Sequence, residues 1–220
     1  APANFESVEA DSVVNDWLFS LKSCGVQALM VLGPEPFSLT SERRILVVHP
    51  PHLMAAATEL AQGKEPGRNA STEDRSEVEW QTLEPSHTEP AGTWRGLLYA
   101  KGYRSFVRLA FSLPGGKAFE CYAFSGRTWL TQAEPAQVVW QTWNMWPRLK
   151  KSIALAQCPL SPREVQSLRL AFDGFTAKTS AEVMGCAERT VNFHITNAMN
   201  KLKVDNKLAA VQRAIYLGCI

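Results

Sequence analysis

Cysteine is scarce and poorly placed for metal or disulfide work: five residues, at positions 24, 121, 158, 186 and 219, with no Cys-x-x-Cys pair. An odd count at wide spacing reads as reduced thiols in a cytoplasmic chain, and not as a disulfide frame or a zinc site. The four histidines, at 49, 52, 87 and 194, stand at no ligand spacing beside carboxylates or thiols, so no metal or other cofactor is expected. No apolar run reaches the roughly 18 residues of a membrane span. Residues 1–10 lack a basic head followed by an apolar stretch, so no secretion signal is expected either. A Gly-rich phosphate loop, a nucleophile elbow and a plausible catalytic dyad are missing as well, which makes an enzyme the least supported class.

What remains is an ordinary globular composition, 45% hydrophobic and 20% charged over 220 residues, long enough for two modest domains. The net charge of +2 is unevenly spread. Residues 160–220 hold eight Lys/Arg against five Asp/Glu, a balance of +3, and the rest of the chain holds fifteen against sixteen, a balance of −1. The cationic excess therefore sits at the C-terminal end, where a phosphate-binding module would want it.

Periodicity divides the chain. Residues 5–23 suit an amphipathic helix with Val13, Val14, Trp17, Leu18 and Leu21 on one stripe. Segments 27–32 and 44–48 read as short strands, and Pro50-Pro51 opens a helix over 52–61. Residues 63–78 are polar and loop-like, and 90–101 look helical. Apolar alternation over 105–113 and 117–125, on either side of Pro114-Gly115-Gly116, predicts a β-hairpin. A long helix over 132–152 carries Val139, Trp140, Trp143, Trp146 and Leu149 at helical spacing. That stripe is either core packing, the commoner outcome, or a dimer face. The order α-β-β-α-α-β-β-α predicts an α+β domain over 1–152, an antiparallel sheet with helices on both faces. A linker over 153–159 follows.

From residue 160 the pattern becomes all helical. Ser161-Pro162-Arg163-Glu164 is a helix start, with Ser as N-cap and Pro in the first turn. That helix, carrying Val165, Leu168 and Ala171/Phe172, ends at Asp173-Gly174. Thr176 caps a second helix over 177–184, and Gly185 makes a turn. A third helix, 188–202, points Val191, Ile195, Ala198 and Leu202 inward. A fourth, 206–217, carries Leu208, Val211, Ala214, Ile215 and Leu217. Two helices joined by a tight glycine turn, the second polar outside, make a helix-turn-helix. The polar face offers Arg189, Asn192, Thr196, Asn197 and Lys201. These are side chains suited to base edges and phosphates, although a plain solvated helix face would also be polar.

The same residues carry a resemblance. Leu160-Ser161-Pro162-Arg163-Glu164, Leu168, Gly174, Thr190-Val191-Asn192-Phe193-His194, the run from Lys201-Leu202 to Asn206-Lys207, and the ending from Ala214 to Ile220 together resemble the LuxR-type DNA-binding domain, without a gap. One departure is Thr179-Ser180, where the family usually has Glu-Ile, which would loosen the first turn of the second helix. The resemblance implies a DNA-binding set of Thr176, Arg189, Thr190, Asn192, Phe193, His194, Thr196, Asn197, Lys201 and Lys207. Of these, Asn192, Thr196 and Arg189 would read bases, and Lys201 and Lys207 would hold phosphates. It implies a homodimer on a roughly palindromic duplex in the cytoplasm, associated with the nucleoid.

Of the two kinds of N-terminal domain found in such regulators, the hairpin at 105–125, entered by Gly102-Tyr103-Arg104-Ser105, resembles the α/β/α acyl-homoserine-lactone-binding kind. The pocket positions of that family fall here on His52, Ala56, Glu65, Trp80 and Phe106, with the usual Trp and Tyr donors replaced by His52 and Ala56. Each lost donor in a buried polar site costs roughly 1–3 kcal/mol, and a bulky Phe106 would fill the cavity. An orphan regulator without a conventional lactone, or with another small-molecule signal, is therefore expected. The alternative is an antagonist that heterodimerises with lactone-responsive relatives.

Overall fold

A computed structural model describes residues 8–37, 42–62, 77–84 and 92–220, and the chain separates into two compact units, Ala1–Ser152 and Ile153–Ile220. Glu65 and nearly all of the polar stretch 63–78 lie outside the described residues.

In the first unit, α1 (Val8–Ser20) leads into β1 (Val26–Pro34) and β2 (Arg43–His49), then α2 (Met54–Gln62), β3 (Val78–Thr82) and α3 (Trp94–Ala100). The hairpin β4 (Ser105–Leu113) and β5 (Lys117–Ser125) follows, and α4 (Ala133–Gln157) closes the series. The strands form one antiparallel sheet in the order β2-β1-β5-β4-β3. The hairpin turns as its sequence requires: Gly115 and Gly116 hold φ of 76° and 68°, a region that residues with a Cβ avoid. Strand β3 is absent from the expected element order. Val78 and Trp80 are exposed on this edge strand, so its alternation lacks the contrast that buried strands show.

Alternation along β5 sends Glu120, Tyr122 and Phe124 to one face and Phe119, Cys121 and Ala123 to the other. Helices α2 and α3 cover the first face through Ala56, Leu60, Trp94 and Leu98. Helices α1 and α4 cover the second. Their tie is Trp17, whose indole N–H donates to Thr142 Oγ1 at 3.1 Å. The expected tryptophan stripe divides. Trp146 stacks on Phe111 at 4.1 Å and Leu149 is buried, but Trp140 and Trp143 stand out into solvent. The buried line runs instead through Val138 and Thr142. Trp140 and Trp143, with Val78 and Trp80 of β3, flank an open cleft of about 570 Å³.

Helix α4 runs on to Gln157, so most of the segment expected as linker is helical. In the second unit, α5 (Pro162–Phe172), α6 (Ala177–Met184), α7 (Glu188–Leu202) and α8 (Lys207–Tyr216) pack around Leu168, Ala198, Leu202, Ala210 and Ala214. Leu208, one of the apolar residues of α8, is 77% exposed, whereas Ala210 is buried in the core. Cys158 and Cys219 form a disulfide with Cα atoms 5.7 Å apart, which corrects the expectation of reduced thiols throughout. The pair is 61 residues apart in sequence and meets only because the tail after α8 folds back on the approach to α5. Cys24, Cys121 and Cys186 are free.

Candidate nucleic-acid interface

Three helices of the second unit start at a capping oxygen, from Ser161, Thr176 and Asn206, whereas α7 starts at Ala187 without a side-chain cap. Ser161 and Glu164 cap α5 reciprocally: Glu164 N–H donates to Ser161 Oγ, and Ser161 N–H donates to Glu164 Oε2 at 2.7 Å. Thr176 Oγ1 accepts from Thr179 N–H at 3.2 Å, and its carbonyl accepts from Ser180 N–H at 2.8 Å. Thr179-Ser180 therefore does not loosen the first turn of α6; Thr176 tightens it, and Ser180 is buried. Thr176 thereby has a structural task beside any contact it makes with a duplex. At the other end Gly185 adopts φ 63° and its N–H closes back on α6. That left-handed residue lets α7 leave at an angle, while Ala181, Met184 and Val191 join across the corner.

The geometry of α7 follows from its buried side. Val191, Ala198 and Leu202 are fully buried and Ile195 partly so. Opposite them, Arg189, Asn192, Phe193, Thr196 and Asn200 are exposed, and Asn197 and Thr190 lie on the flank. Asn200 is absent from the expected set. Its spacing from Arg189, Phe193 and Thr196 (eleven, seven and four residues) was the available signal, since those steps return to one helical face. His194 sits on the flank, half-buried, its ring 5.9 Å from that of Phe193. Lys207 is exposed at the start of α8.

Lys201 also meets the scaffold. Its Nζ lies 2.9 Å from Glu164 Oε2, so it joins α7 to the capping box of α5 while its side chain stays exposed. Burial works against the charged Glu164, but hydrogen bonds from Lys201 and from Ser161 N–H, with the Lys201 charge, outweigh it and hold the carboxyl below its ordinary value. That contribution to stability is present above the ordinary carboxylate range and is lost as pH falls below it.

Residues 158–214 match the family model for bacterial regulatory proteins of the luxR family. That stretch lies within the second unit. Over 61 residues the chain is 46% identical to the transcriptional activator protein AnoR of Acinetobacter nosocomialis, and 39% identical over 61 residues to LuxR of Aliivibrio fischeri. Each alignment covers 28% of this chain, and 26% and 24% of those two proteins. The chain thus matches about a quarter of the length of these curated relatives. Solved structures extend the likeness of fold over both units. SdiA in complex with octanoyl-rac-glycerol aligns with 96% of this chain and 88% of its own, at a TM-score of 0.52 and 18% identity. A second crystal structure, of Escherichia coli SdiA, aligns at a TM-score of 0.50 and 19% identity, over 98% and 92% of the two chains.

In the first unit, the described residues expected to line a ligand pocket do not all converge. Ala56 and Phe106 share the core between the sheet and α2–α3. His52 is exposed within the short 3-10 turn, Pro51–Leu53, that precedes α2. Trp80 pairs with Val107, whereas Gln81 pairs with Phe106, so strand alternation puts Trp80 on the other face of the sheet, in the cleft beside α4. Phe106 is 1% exposed and meets Trp94 edge-on at 5.3 Å, with Tyr122 and Phe124 at 6.5 and 6.2 Å. Arg95 lies over Trp94 and Phe106, 4.8 and 5.1 Å from their ring centres. Among the described residues, Phe106, Trp94, Tyr122 and Phe124 thus pack ring against ring on this face.

Proposed function

We propose that the chain is a sequence-specific, DNA-binding transcription regulator of the quorum-sensing type, acting as a cytoplasmic homodimer. The observation that carries the reading is the outward stripe of α7. Within a luxR-family domain, a capped helix-turn-helix presents Arg189, Asn192, Thr196, Asn197 and Asn200 away from its core. Arg, Asn and Thr match the donors and acceptors of the major groove. Arg189, Asn192 and Thr196 read bases, and Lys207 holds phosphate. Thr190, Phe193 and His194 border the same surface. A dimer is supported by Trp140 and Trp143 of α4, which with Val78 and Trp80 make a cluster of exposed apolar side chains. Residues 1–152 form the ligand-type and dimerisation domain, and 160–220 the DNA-binding domain.

Selection of random duplexes with the full chain at low salt tests this reading. It is expected to enrich a rough palindrome with half-site centres about 10 base pairs apart. No enrichment over random sequence would refute it. Strong co-purification with a related regulator, without DNA binding of its own, would favour the antagonist reading instead.

The first unit is proposed to bind no ordinary acyl-homoserine lactone. Support comes from the dispersal of His52, Ala56 and Trp80 and from the rings packed around Phe106. All seven tryptophans lie in this unit, so their fluorescence follows its melting alone. Micromolar lactone, or octanoyl-rac-glycerol of the kind bound in SdiA, is expected to leave that melting temperature unchanged. A rise of several degrees would contradict the proposal, because a ligand of the native state stabilises it.

A further inference from the structure

Phe193 is 60% exposed on the outward side of α7. Single apolar residues on a protein surface are common, and the exposure alone means little. Its place is more informative. Phe193 is the sixth residue of α7, four after Arg189 and three before Thr196, so it lies on the midline of the stripe assigned to base readout. The apolar side of the helix is complete without it, through Val191, Ala198 and Leu202. Among the described residues the ring that meets it is His194, tilted at 59°, and most of the Phe193 side chain stays exposed.

Resting on the DNA-binding reading above, we infer that Phe193 is a specificity-determining residue that recognises the C5-methyl group of a thymine in each half-site. A phenyl ring neither donates nor accepts a hydrogen bond to a base edge and gains nothing from phosphate. Among the groups that the four base pairs show in the major groove, the thymine methyl is the apolar one. A helix that enters the groove with Arg189 and Thr196 facing base edges carries the Phe193 ring between them, to the depth of that methyl. The contact removes apolar surface of both partners from water, and it rejects a cytosine at the same position, which shows an amino group and no methyl.

Replacing thymine by deoxyuridine removes the methyl and leaves pairing and every hydrogen-bonding group in place. The test uses the full chain and its selected duplex, with each thymine replaced singly. Affinity should fall about fourfold at one position per half-site, the worth of one buried methyl group. Phe193→Ala should bind the unmodified duplex more weakly by about the same factor or more, and should show no further loss on uridine at that position, so the two changes are not additive. Phe193→Leu, which keeps an apolar tip, should retain part of the sensitivity. Melting of the second unit should not change, since the side chain is outside its core. Insensitivity of the wild-type chain to every uridine, or undiminished sensitivity in Phe193→Ala, overturns the inference while the regulator reading stands. Failure to select any sequence overturns both.

Discussion

Replacing Glu120 by Ala will destabilise the first unit by about 3–5 kcal/mol, the usual cost of leaving a buried charge without its partner. Glu120 is buried on β5 between two arginines from other strands. Arg108 of β4 donates through Nε at 3.0 Å and Nη2 at 2.6 Å to Oε1, and Arg43 of β2 donates to Oε2 at 2.5 Å. Tyr122 OH donates to Oε2 at 3.3 Å, and Arg43 also donates to the Leu60 carbonyl of α2. Removing the carboxylate leaves two guanidinium groups facing one another in the same low-dielectric space. A loss of this size is a large part of a domain's whole stability, so the urea midpoint read by tryptophan fluorescence should fall steeply or the variant should not fold. Replacing Arg43, Glu120 and Arg108 together by apolar residues of similar volume should recover most of the loss, because desolvation and attraction then disappear together. A recovery no better than that of Glu120→Ala would contradict this account.

The same cluster sets an acid limit. Burial opposes the charged form of Glu120, but the Arg43 and Arg108 charges and their hydrogen bonds outweigh it and hold the carboxyl at about 2, against 4.5 ordinarily. A depressed folded-state value means that the stabilisation is complete above pH 4.5 and drains away as pH falls from there towards 2. The urea midpoint of the wild-type chain should drop across that window. Glu120→Gln should start lower at neutral pH and lose that part of the slope.

Arg189→Ala will weaken binding to the selected duplex by about tenfold to a hundredfold, the range for one bidentate base contact, and leave binding to random DNA nearly unchanged. Arg189 is exposed in the first turn of α7, so thermal melting followed by helical circular dichroism should not move. Asn192→Ala should relax sequence preference in the same direction. Lys207→Ala should instead weaken all sequences alike and lower the salt slope by about one. Lys201→Ala should behave differently again. With Nζ engaged by Glu164, its loss should lower the stability of the second unit by about 1 kcal/mol, discounted because the lysine end is largely in water. Equal effects of Arg189→Ala on selected and random DNA would remove Arg189 from base readout. A full unit of salt slope lost in Lys201→Ala, without a change in melting, would return that lysine to the phosphates.

Much of the second unit was legible because its signals are local. Ser161 with Glu164, Thr176 and Gly185 specify their caps and turn within four residues, and the 3.6-residue period of Val191, Ile195, Ala198 and Leu202 names the inner face of α7. The hairpin at Gly115-Gly116 was legible for the same reason. Edge strand β3 was not, because an exposed strand loses the contrast between its two faces. The exposure of Leu208 was not legible either, because hydrophobicity marks a side chain as able to be buried without saying what it will meet.

Sequence alone determined the two-part organisation, the antiparallel sheet between helices and the helix-turn-helix with its outward polar stripe, since periods, caps and turns are written in neighbouring residues. Tertiary structure decided what depends on which distant groups meet. It put Trp80 on the opposite side of the sheet from Phe106, drew Lys201 to Glu164, joined Cys158 to Cys219, and closed two arginines around Glu120. None of these pairs has a spacing to read, because packing chooses partners by the space and charge left after the elements have come together.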